Sequence, residues 1–348
     1  MKIISIIHFW LVLASFTYAA ERPNIVIFYV DDLGWADTSV RMMESDPNSA
    51  SDFHQTPHLA ALAKRGMKFS NAYAPAPTCT PSRKSIQFGK TPGRLGYTFV
   101  HDVLALQRKL EWKDETSLAD VVKAADPNYI TAHFGKGMGN ERMETIGYDV
   151  TDELEPHGDN GNFHGDYISI KNRTKLPLDN PKRMASLRKS SVDFVNEHSG
   201  KRPFLMMISH YAVHVPHAAR ADLIEKYRKL PRGKYLTDSD YLPVDEMPKG
   251  KVISSWRLQY AAMLEECDEG LGAIVAALKK TGQLDNTLII FTSDNGGGLG
   301  PNGILRGGKA NLYEGGLRVP FVVAGPGVKA GAQCDVPVSQ WDLLPTLH

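Results

Sequence analysis

Two pairs of polar residues in this 348-residue sequence have the chemistry of a metal site. Asp31 and Asp32 follow one apolar run, and Asp294 and Asn295 follow another. Either pair alone is typical of a turn or a helix cap. If the pairs meet at one edge of a sheet, their carboxylates repel one another unless a cation lies between them. Carboxylate and amide oxygens are the donor set of Ca²⁺ or Mg²⁺.

A third segment, Cys79-Thr-Pro-Ser-Arg83, has the features of an activated nucleophile. Thr80 is predicted to cap a helix whose first residue is Pro81, which places the Cys79 thiol beside the positive end of the helix dipole. That helix end and the Arg83 guanidinium both favour the thiolate, the nucleophilic form of cysteine. The alternative interpretation is a cysteine that merely precedes a helix.

These residues depend on a sheet whose strands end beside one another. Five short apolar runs without polar alternation are typical of strands buried on both faces of a mainly parallel sheet. They span residues 24–30, 128–134, 204–209, 287–292 and 319–323. Helical patterns lie between them, so the sequence predicts an α/β fold with a doubly wound sheet flanked by helices.

Helix and loop signals support this order. Thr56-Pro57 predicts the cap and the first residue of a helix that Gly66 ends in a left-handed conformation. A long helix is predicted over residues 254–280. Residues 153–180 and 230–250 are rich in loop-forming residues, and we expect them to form a rim above the strand ends.

Basic residues follow the same strand ends, where ligands bind in doubly wound sheets. Lys136 comes directly after the second apolar run, His214 follows the third, and Lys309 lies in a glycine-rich loop after the fourth. We expect these three side chains to hold a small anion near the acidic pairs. His210 and His217 are interpreted as structural histidines.

The net charge of the chain indicates whether it attracts nucleic acid, and its N-terminal residues indicate whether it is exported. Lys and Arg total 40 against 39 Asp and Glu, a formal net charge of +1 that provides no global field to attract nucleic acid. Residues 1–20 hold a lysine, an apolar run and Ala19-Ala20, and they predict a cleaved secretory signal. No later stretch approaches membrane-spanning length. We therefore expect an exported protein, periplasmic or extracellular.

Residues 21–348 are predicted to form one catalytic domain that is truncated at its C-terminal end. The sequence stops at His348 within an apolar helical turn that Asp342 is predicted to cap, and domains rarely end there. A C-terminal subdomain is therefore expected to be missing.

The sequence has 3 cysteines, so at most one disulfide can form, and Cys267 is interpreted as a buried apolar residue of a helix.

Five sequence blocks resemble those of type I sulfatases and occur in the same order. Cys79-Thr-Pro-Ser-Arg83 matches the C-x-P-S-R signature of that family. The other blocks are Asp31-Asp-Leu-Gly34, Ser293-Asp-Asn-Gly296, Arg306-Gly-Gly-Lys309 and Tyr313-Glu-Gly-Gly-Leu-Arg-Val-Pro320. The similarity runs from about Pro23 to the last residue. It implies the alkaline-phosphatase-like α/β fold and the formylglycine-dependent sulfate ester hydrolysis of that family.

The resemblance also implies a nucleophile and a metal. Cys79 is similar to the cysteine that a formylglycine-generating maturation enzyme oxidises to an aldehyde, which hydrates to a geminal diol. Asp31, Asp32, Asp294 and Asn295 match the family's ligands for a divalent metal, usually Ca²⁺ with Mg²⁺ as the alternative. That metal also binds the modified Cys79.

The basic residues match further parts of the family's site. Arg83 resembles the residue that steadies the formylglycine, and Lys136, His214 and Lys309 resemble those that hold the sulfate or protonate the leaving oxygen. In the implied mechanism, one diol oxygen attacks sulfur in line and displaces the alcohol. The second hydroxyl then collapses to the aldehyde and expels sulfate.

The lysine block departs from the family pattern. Members commonly read G-K-W-H-[LM]-G, whereas this chain reads Gly135-Lys-Gly-Met-Gly139 and has no histidine there. The Met138 thioether cannot donate a hydrogen bond as an imidazole can. His157 or His164, from a nearby loop, is the expected substitute.

The motifs define a sulfate pocket and leave the alcohol side of the substrate open. The expected substrate is a sulfated carbohydrate or an aryl sulfate, and export favours a sulfated glycan. Two alternatives stay open. One is a phosphatase or phosphonate monoester hydrolase on the same fold, and the other is a noncatalytic binder of sulfated glycans in which Met138 marks a decayed site.

Overall fold

The computed structural model of the chain describes residues 22–100, 112, 114–139, 141–152, 180–215, 217–231, 255–298 and 302–348. The predicted signal, residues 1–20, lies outside the described residues, as does nearly all of the two predicted rim segments. The described part is a central sheet with helices on both faces.

An eight-stranded sheet forms the centre of the fold. Its strands are β1 (Asn24–Val30), β2 (Met67–Phe69), β4 (Ile130–Gly135), β5 (Val150–Thr151), β6 (Phe204–Ser209), β7 (Thr287–Ser293), β8 (Phe321–Ala324) and β9 (Ala332–Cys334). Their spatial order is β5-β4-β6-β1-β7-β8-β2-β9. β8 runs antiparallel to both neighbours and the other pairings are parallel. A separate small sheet pairs β3 (Ala72–Tyr73) with β10 (Val338–Ser339).

The α-helices, numbered along the described residues, are α1 (Pro57–Arg65), α2 (Cys79–Phe88), α3 (Pro92–Leu95), α4 (Leu118–Ala125), α5 (Met184–His198), α6 (Ala221–Arg228), α7 (Ser255–Lys280), α8 (Glu314–Leu317) and α9 (Leu343–Leu347). Short 3₁₀ segments span Pro47–Ser49, Met143–Ile146, Pro181–Arg183, Leu284–Asn286 and Gln340–Asp342. None of the helices in the described ranges is both long and apolar enough to cross a membrane.

The side chains of β1 alternate between two apolar clusters. Val26 and Phe28 pack in the cluster that includes residues of α5 and α7, whereas Ile25 and Ile27 pack in the cluster that includes residues of α2 and α4. Every residue of β1 is buried, as expected for a strand covered on both faces. The predicted doubly wound, mainly parallel sheet flanked by helices is therefore confirmed.

Two local predictions at helix ends are wrong. Gly66 follows α1 but has a φ of −132°, so it is not left-handed. Glycine is required there for a different reason, because a Cβ would lie 2.0 Å from the carbonyl oxygen of Val323. α2 begins at Cys79, so Thr80 is not its cap and Pro81 is not its first residue.

Asp342 also acts differently from the prediction. It precedes α9 but makes no side-chain cap to that helix. Its Oδ2 instead accepts a hydrogen bond from Ser339 N at 2.9 Å, which caps the preceding 3₁₀ turn. Cys267 is buried within α7, as predicted, and all three cysteines are free thiols.

Candidate active site

The end of β1 carries the first acidic pair into the centre of the molecule. Asp31 is fully buried, and its backbone bonds to the loop after β6: its N donates to Ala212 O at 2.9 Å and its O accepts from Val213 N at 2.7 Å. Asp32 has a φ of 60°, a left-handed conformation that turns the chain directly after the strand. Backbone contacts therefore fix the place where both carboxylates leave the sheet.

The second acidic pair lies beside the first because β1 and β7 run parallel and end as partners. Asp294 Oδ1 accepts a hydrogen bond from Asp32 N at 3.0 Å. Asn295 Nδ2 donates to Asp32 Oδ1 at 2.8 Å. The two strand ends that the sequence singled out therefore meet at one edge of the sheet.

Cys79, in the first turn of α2, lies against this group. Its Sγ, one carboxylate oxygen of Asp31 and one of Asp294 all lie within 4.8 Å of one another, and all three residues are buried. The helix is buried along its whole length. Ser82 Oγ fixes the chain entering the helix, because it bonds to Ala76 N at 3.0 Å and to Ala76 O at 2.9 Å.

Two buried oxygens of this group have no hydrogen-bond partner among the described residues. They are Asp31 Oδ1 and Asn295 Oδ1. Leaving a buried acceptor unpaired costs about 1–3 kcal/mol, so such atoms in a native site require an explanation such as a bound ion. Together with Asp294 they offer the hard oxygen donors that Ca²⁺ and Mg²⁺ prefer. The residues present therefore fit a divalent cation.

Arg83 is a deeply buried cation of the site, at 2% exposure. Its Nε and Nη2 both lie 2.8 Å from Asp294 Oδ2, and Nη2 lies 3.7 Å from Asp31 Oδ1. Its Nη1 donates to Lys136 O at 3.1 Å and to Ser209 Oγ. One guanidinium thus links α2 to the ends of β1, β4, β6 and β7.

Lys136, Lys309 and His214 contact the same acidic group. Lys136 Nζ bonds to Asp31 Oδ2, and Lys309 Nζ donates to Asp32 Oδ2 at 2.7 Å. His214 Nε2 lies 3.7 Å from Asp32 Oδ2. The structure therefore brings together every basic residue that the sequence placed at the strand ends.

Burial and neighbouring charges shift the pKa values of the site in different directions. Burial raises the pKa of Asp294 to about 7; the negative charge of Asp31 adds to this and Arg83 opposes it. Burial also raises the pKa of Asp31, but Lys136, His214 and Arg83 outweigh burial and hold this pKa well below its usual range. Burial lowers the pKa of His214. Adjacent buried carboxyl groups of unequal acidity are expected where like charges share one site.

The sequence analysis missed one buried cation near this group. Lys182, in the turn before α5, is fully buried; burial lowers its pKa to about 7, while the charges of Asp31 and Asp32 oppose that shift. His217, interpreted as structural, has its ring centroid 6.0 Å from that of Trp256 and 5.9 Å from that of Tyr260. No local sequence signal indicates Lys182, because its place depends on a turn formed by distant segments.

The block Gly135-Lys-Gly-Met-Gly139 differs from the family pattern because it has no histidine. Met138 is buried in the apolar cluster that includes residues of α2 and α4. His157 and His164, the expected substitutes, lie outside the described residues. His210 is buried, with its ring centroid 4.6 Å from that of Phe28.

The fold and this arrangement of strand-end residues define the class of the protein. The model of the sulfatase family matches residues 23–348, and the chain belongs to that family. The predicted alkaline-phosphatase-like sulfatase fold is thereby confirmed.

Particular relatives match over most of the chain. An ulvan-active sulfatase from Formosa agariphila is 29% identical over 345 residues, which cover 94% of this chain and 61% of that protein. A choline-sulfatase from Rhizobium meliloti is 28% identical over 367 residues, covering 94% and 67%. The crystal structure of Ps i-CgsB in complex with k-i-k-neocarrahexaose superposes with a TM-score of 0.69 at 26% identity, covering 94% of this chain and 71% of that one. The chain therefore spans only 61–67% of the length of these curated relatives.

Proposed function

We propose that this chain is the catalytic part of a sulfatase that releases sulfate from a sulfated carbohydrate or an aryl sulfate, with formylglycine made from Cys79. The observation that carries the proposal is the position of Cys79 Sγ within 4.8 Å of carboxylate oxygens of both Asp31 and Asp294. Lys136 and Lys309 contact the same acidic group. In this proposal Cys79 provides the nucleophile, Asp31 and Asp294 bind the cation, and Lys136 and Lys309 bind the anion, all at the same edge of the sheet.

The proposed metal ligands are Asp31, Asp32, Asp294 and Asn295, together with the modified Cys79. The two unpartnered oxygens, Asp31 Oδ1 and Asn295 Oδ1, support this assignment. When bound there, Ca²⁺ or Mg²⁺ supplies a Lewis acid beside the nucleophile and neutralises negative charge. Carboxylate and amide oxygens suit either ion.

The attacking oxygen comes from residue 79 after oxidation. A formylglycine aldehyde hydrates to a diol, which supplies an oxygen nucleophile that an unmodified thiol lacks. Arg83 interacts electrostatically with Cys79 and is itself held by Asp294, so it keeps positive charge beside the nucleophile. The formylglycine-generating enzyme is therefore a required partner.

Lys136 and Lys309 hold the sulfate group. Each now bonds to a carboxylate, Asp31 or Asp32. When those carboxylates ligate a cation, the two ammonium groups can face an anionic ester. A close pair of opposite unit charges contributes on the order of 4 kcal/mol at an effective dielectric constant of about 20. We assign proton donation to the leaving alcohol oxygen to His214, whose Nε2 lies 3.7 Å from Asp32 Oδ2.

The substrate and the location of the protein are inferred together. One relative is named ulvan-active, and one solved structure holds a neocarrahexaose, which supports a sulfated glycan as the substrate class. A second relative is named choline-sulfatase, so small sulfate esters belong in the same assay. Residues 1–20 as an export signal, with 21–348 as the catalytic domain, fit an exported enzyme that meets polymers outside the cytoplasm.

Sulfate release by the full chain, produced together with a formylglycine-generating enzyme, tests the proposal. We expect release from sulfated oligosaccharides, and a Cys79→Ala variant should lose at least roughly 10³-fold in turnover. Cys334→Ala is the matched control, because Cys334 is also a free thiol but lies in β9. Parental turnover in Cys79→Ala contradicts the nucleophile assignment.

The same assay separates the alternatives. A phosphate or phosphonate ester cleaved in preference to the sulfate ester selects the phosphatase or phosphonate hydrolase. Glycan affinity without sulfate release from any ester selects the noncatalytic binder.

A further inference from the structure

The backbone that carries Lys136 is held from both sides at the end of β4. On the β6 side, Lys136 N donates to Ser209 O at 2.7 Å, and Ser209 Oγ donates to Lys136 O at 2.6 Å. On the other side, within the described residues, the pairing of β5 with β4 ends at Thr151, opposite His133. Beyond that pair the Asp152 side chain bonds to β4, because its Oδ2 accepts from Gly135 N at 2.9 Å.

Arg183 holds this carboxylate in turn. Its Nη2 lies 3.6 Å from Asp152 Oδ2, and the two side chains are only 6% and 12% exposed. Its guanidinium carbon lies 5.8 Å from the centroid of the Tyr211 ring, in the loop after β6. Arg183 therefore joins the turn before α5 to the two chain segments that flank the site.

The turn that presents Arg183 is strained and locked. Lys182 and Arg183 have φ angles of 53° and 60°, a left-handed conformation that is unfavourable for residues other than glycine. Asn180 stabilises the turn: its Oδ1 accepts from Ser186 N at 3.1 Å and its Nδ2 donates to Ser186 Oγ at 3.0 Å. Strain that persists because neighbouring contacts enforce it is typical of functional sites.

We propose that Asp152 and Arg183 are positioning residues for Lys136. The carboxylate fixes the Gly135 amide, and thereby the point where Lys136 leaves the sheet toward Asp31, while Arg183 keeps that carboxylate charged and in place. The inference rests on the proposed function, since Lys136 is assigned there to the sulfate.

The chain supplies a matched control at the opposite end of β4. Asp149 Oδ2 accepts from Thr131 N at 2.9 Å, and Asp149 Oδ1 lies 3.0 Å from Lys123 Nζ. This aspartate therefore has the same type of backbone bond and the same type of basic partner as Asp152, at the end of the strand far from Lys136.

The test compares Asp152→Asn with Asp149→Asn in the full, matured chain. Asparagine keeps an acceptor oxygen but loses the charge that pairs with the base. We expect Asp152→Asn to lower kcat/KM for a sulfate ester by about 10- to 100-fold, the usual effect of removing a residue that orients a group of the site. Asp149→Asn is expected to stay within about twofold of wild type, even if both variants melt at a lower temperature.

The pH dependence of kcat/KM distinguishes a positioning role from a loss of stability, because lower stability alone does not change that dependence. Burial raises the pKa of Asp152 to about 6; Arg183 opposes the shift and the charge of Glu144 adds to it. As the pH falls through that value, wild-type Asp152 loses its charge and becomes equivalent to the asparagine variant. The wild-type to Asp152→Asn ratio of kcat/KM should therefore approach one between about pH 7.5 and pH 5.

Equal losses of kcat/KM in the two asparagine variants, or a ratio independent of pH, overturn the proposal. If Asp152→Asn does not fold, Arg183→Met and Arg183→Lys replace it. The lysine variant should keep most of the activity because it retains a positive charge beside Asp152, and equal activities of the two variants contradict the positioning role.

Failure of the proposed function gives a different result. If the wild type releases no sulfate from any ester, that function is wrong, and protection against thermal unfolding by inorganic sulfate becomes the readout. Weaker protection of Asp152→Asn than of Asp149→Asn then supports the positioning role, and equal protection contradicts it.

Discussion

Replacing Arg83 by methionine removes the cation that compensates the buried acidic group. Arg83 Nε and Nη2 each lie 2.8 Å from Asp294 Oδ2, and both side chains are nearly inaccessible to water. Removing one partner of a buried ion pair costs about 3–5 kcal/mol, because the other charge stays buried without compensation. We expect Arg83→Met to lose that much free energy of unfolding in the presence of a chelator, measured by urea denaturation.

A bound divalent cation should reduce this cost. Calcium ligated by Asp31 and Asp294 compensates the same charges, so the loss in Arg83→Met should be smaller in excess calcium than in chelator. Arg65→Met is the control, because Arg65 pairs with Asp285 at the surface and such pairs contribute about 0–1 kcal/mol. A loss in Arg83→Met no larger than in this control, or one unaffected by calcium, refutes the reasoning.

Two further predictions concern the metal and pH. Calcium at roughly 100 times its dissociation constant should stabilise the wild type by about 2.7 kcal/mol. Asn295→Ala removes the unpartnered Oδ1 and should reduce this gain in calorimetry, whereas an unchanged gain excludes Asn295 as a ligand. Glu266 is buried, neither of its carboxylate oxygens has a hydrogen-bond partner among the residues that the structure describes, and burial raises its pKa to about 7. The wild type should therefore lose stability as the pH rises from about 4.5 to 7, and Glu266→Gln should remove about 1–3 kcal/mol of that loss. Parallel pH profiles of unfolding for the two proteins contradict this.

The main strands and the two acidic pairs were predictable because their signals are local. An unbroken apolar run predicts a strand buried on both faces, and polar residues after such runs lie at the edge where parallel strands end. The pairing of β1 with β7 then places Asp31 beside Asp294. The order of the strands, the antiparallel direction of β8 and the short strands β2, β5 and β9 came only from the structure, because strands of two or three residues leave no clear apolar run.

Residues that act through distant contacts were not predictable. Asp152 carries no signal in the sequence, yet its carboxylate accepts the hydrogen bond of the Gly135 amide at the end of β4. Lys182 enters the site only because neighbouring contacts enforce a left-handed turn. The errors at Gly66 and Thr80 have the same origin, since packing against other segments determines what local propensity cannot.

Mass spectrometry of the peptide that contains Cys79, taken from protein that releases sulfate, is the most direct test of the central claim. The account predicts a peptide about 18 mass units lighter than its cysteine form that resists thiol alkylation, because formylglycine has replaced the thiol. An active preparation in which this peptide is found only as the alkylated cysteine form contradicts the account.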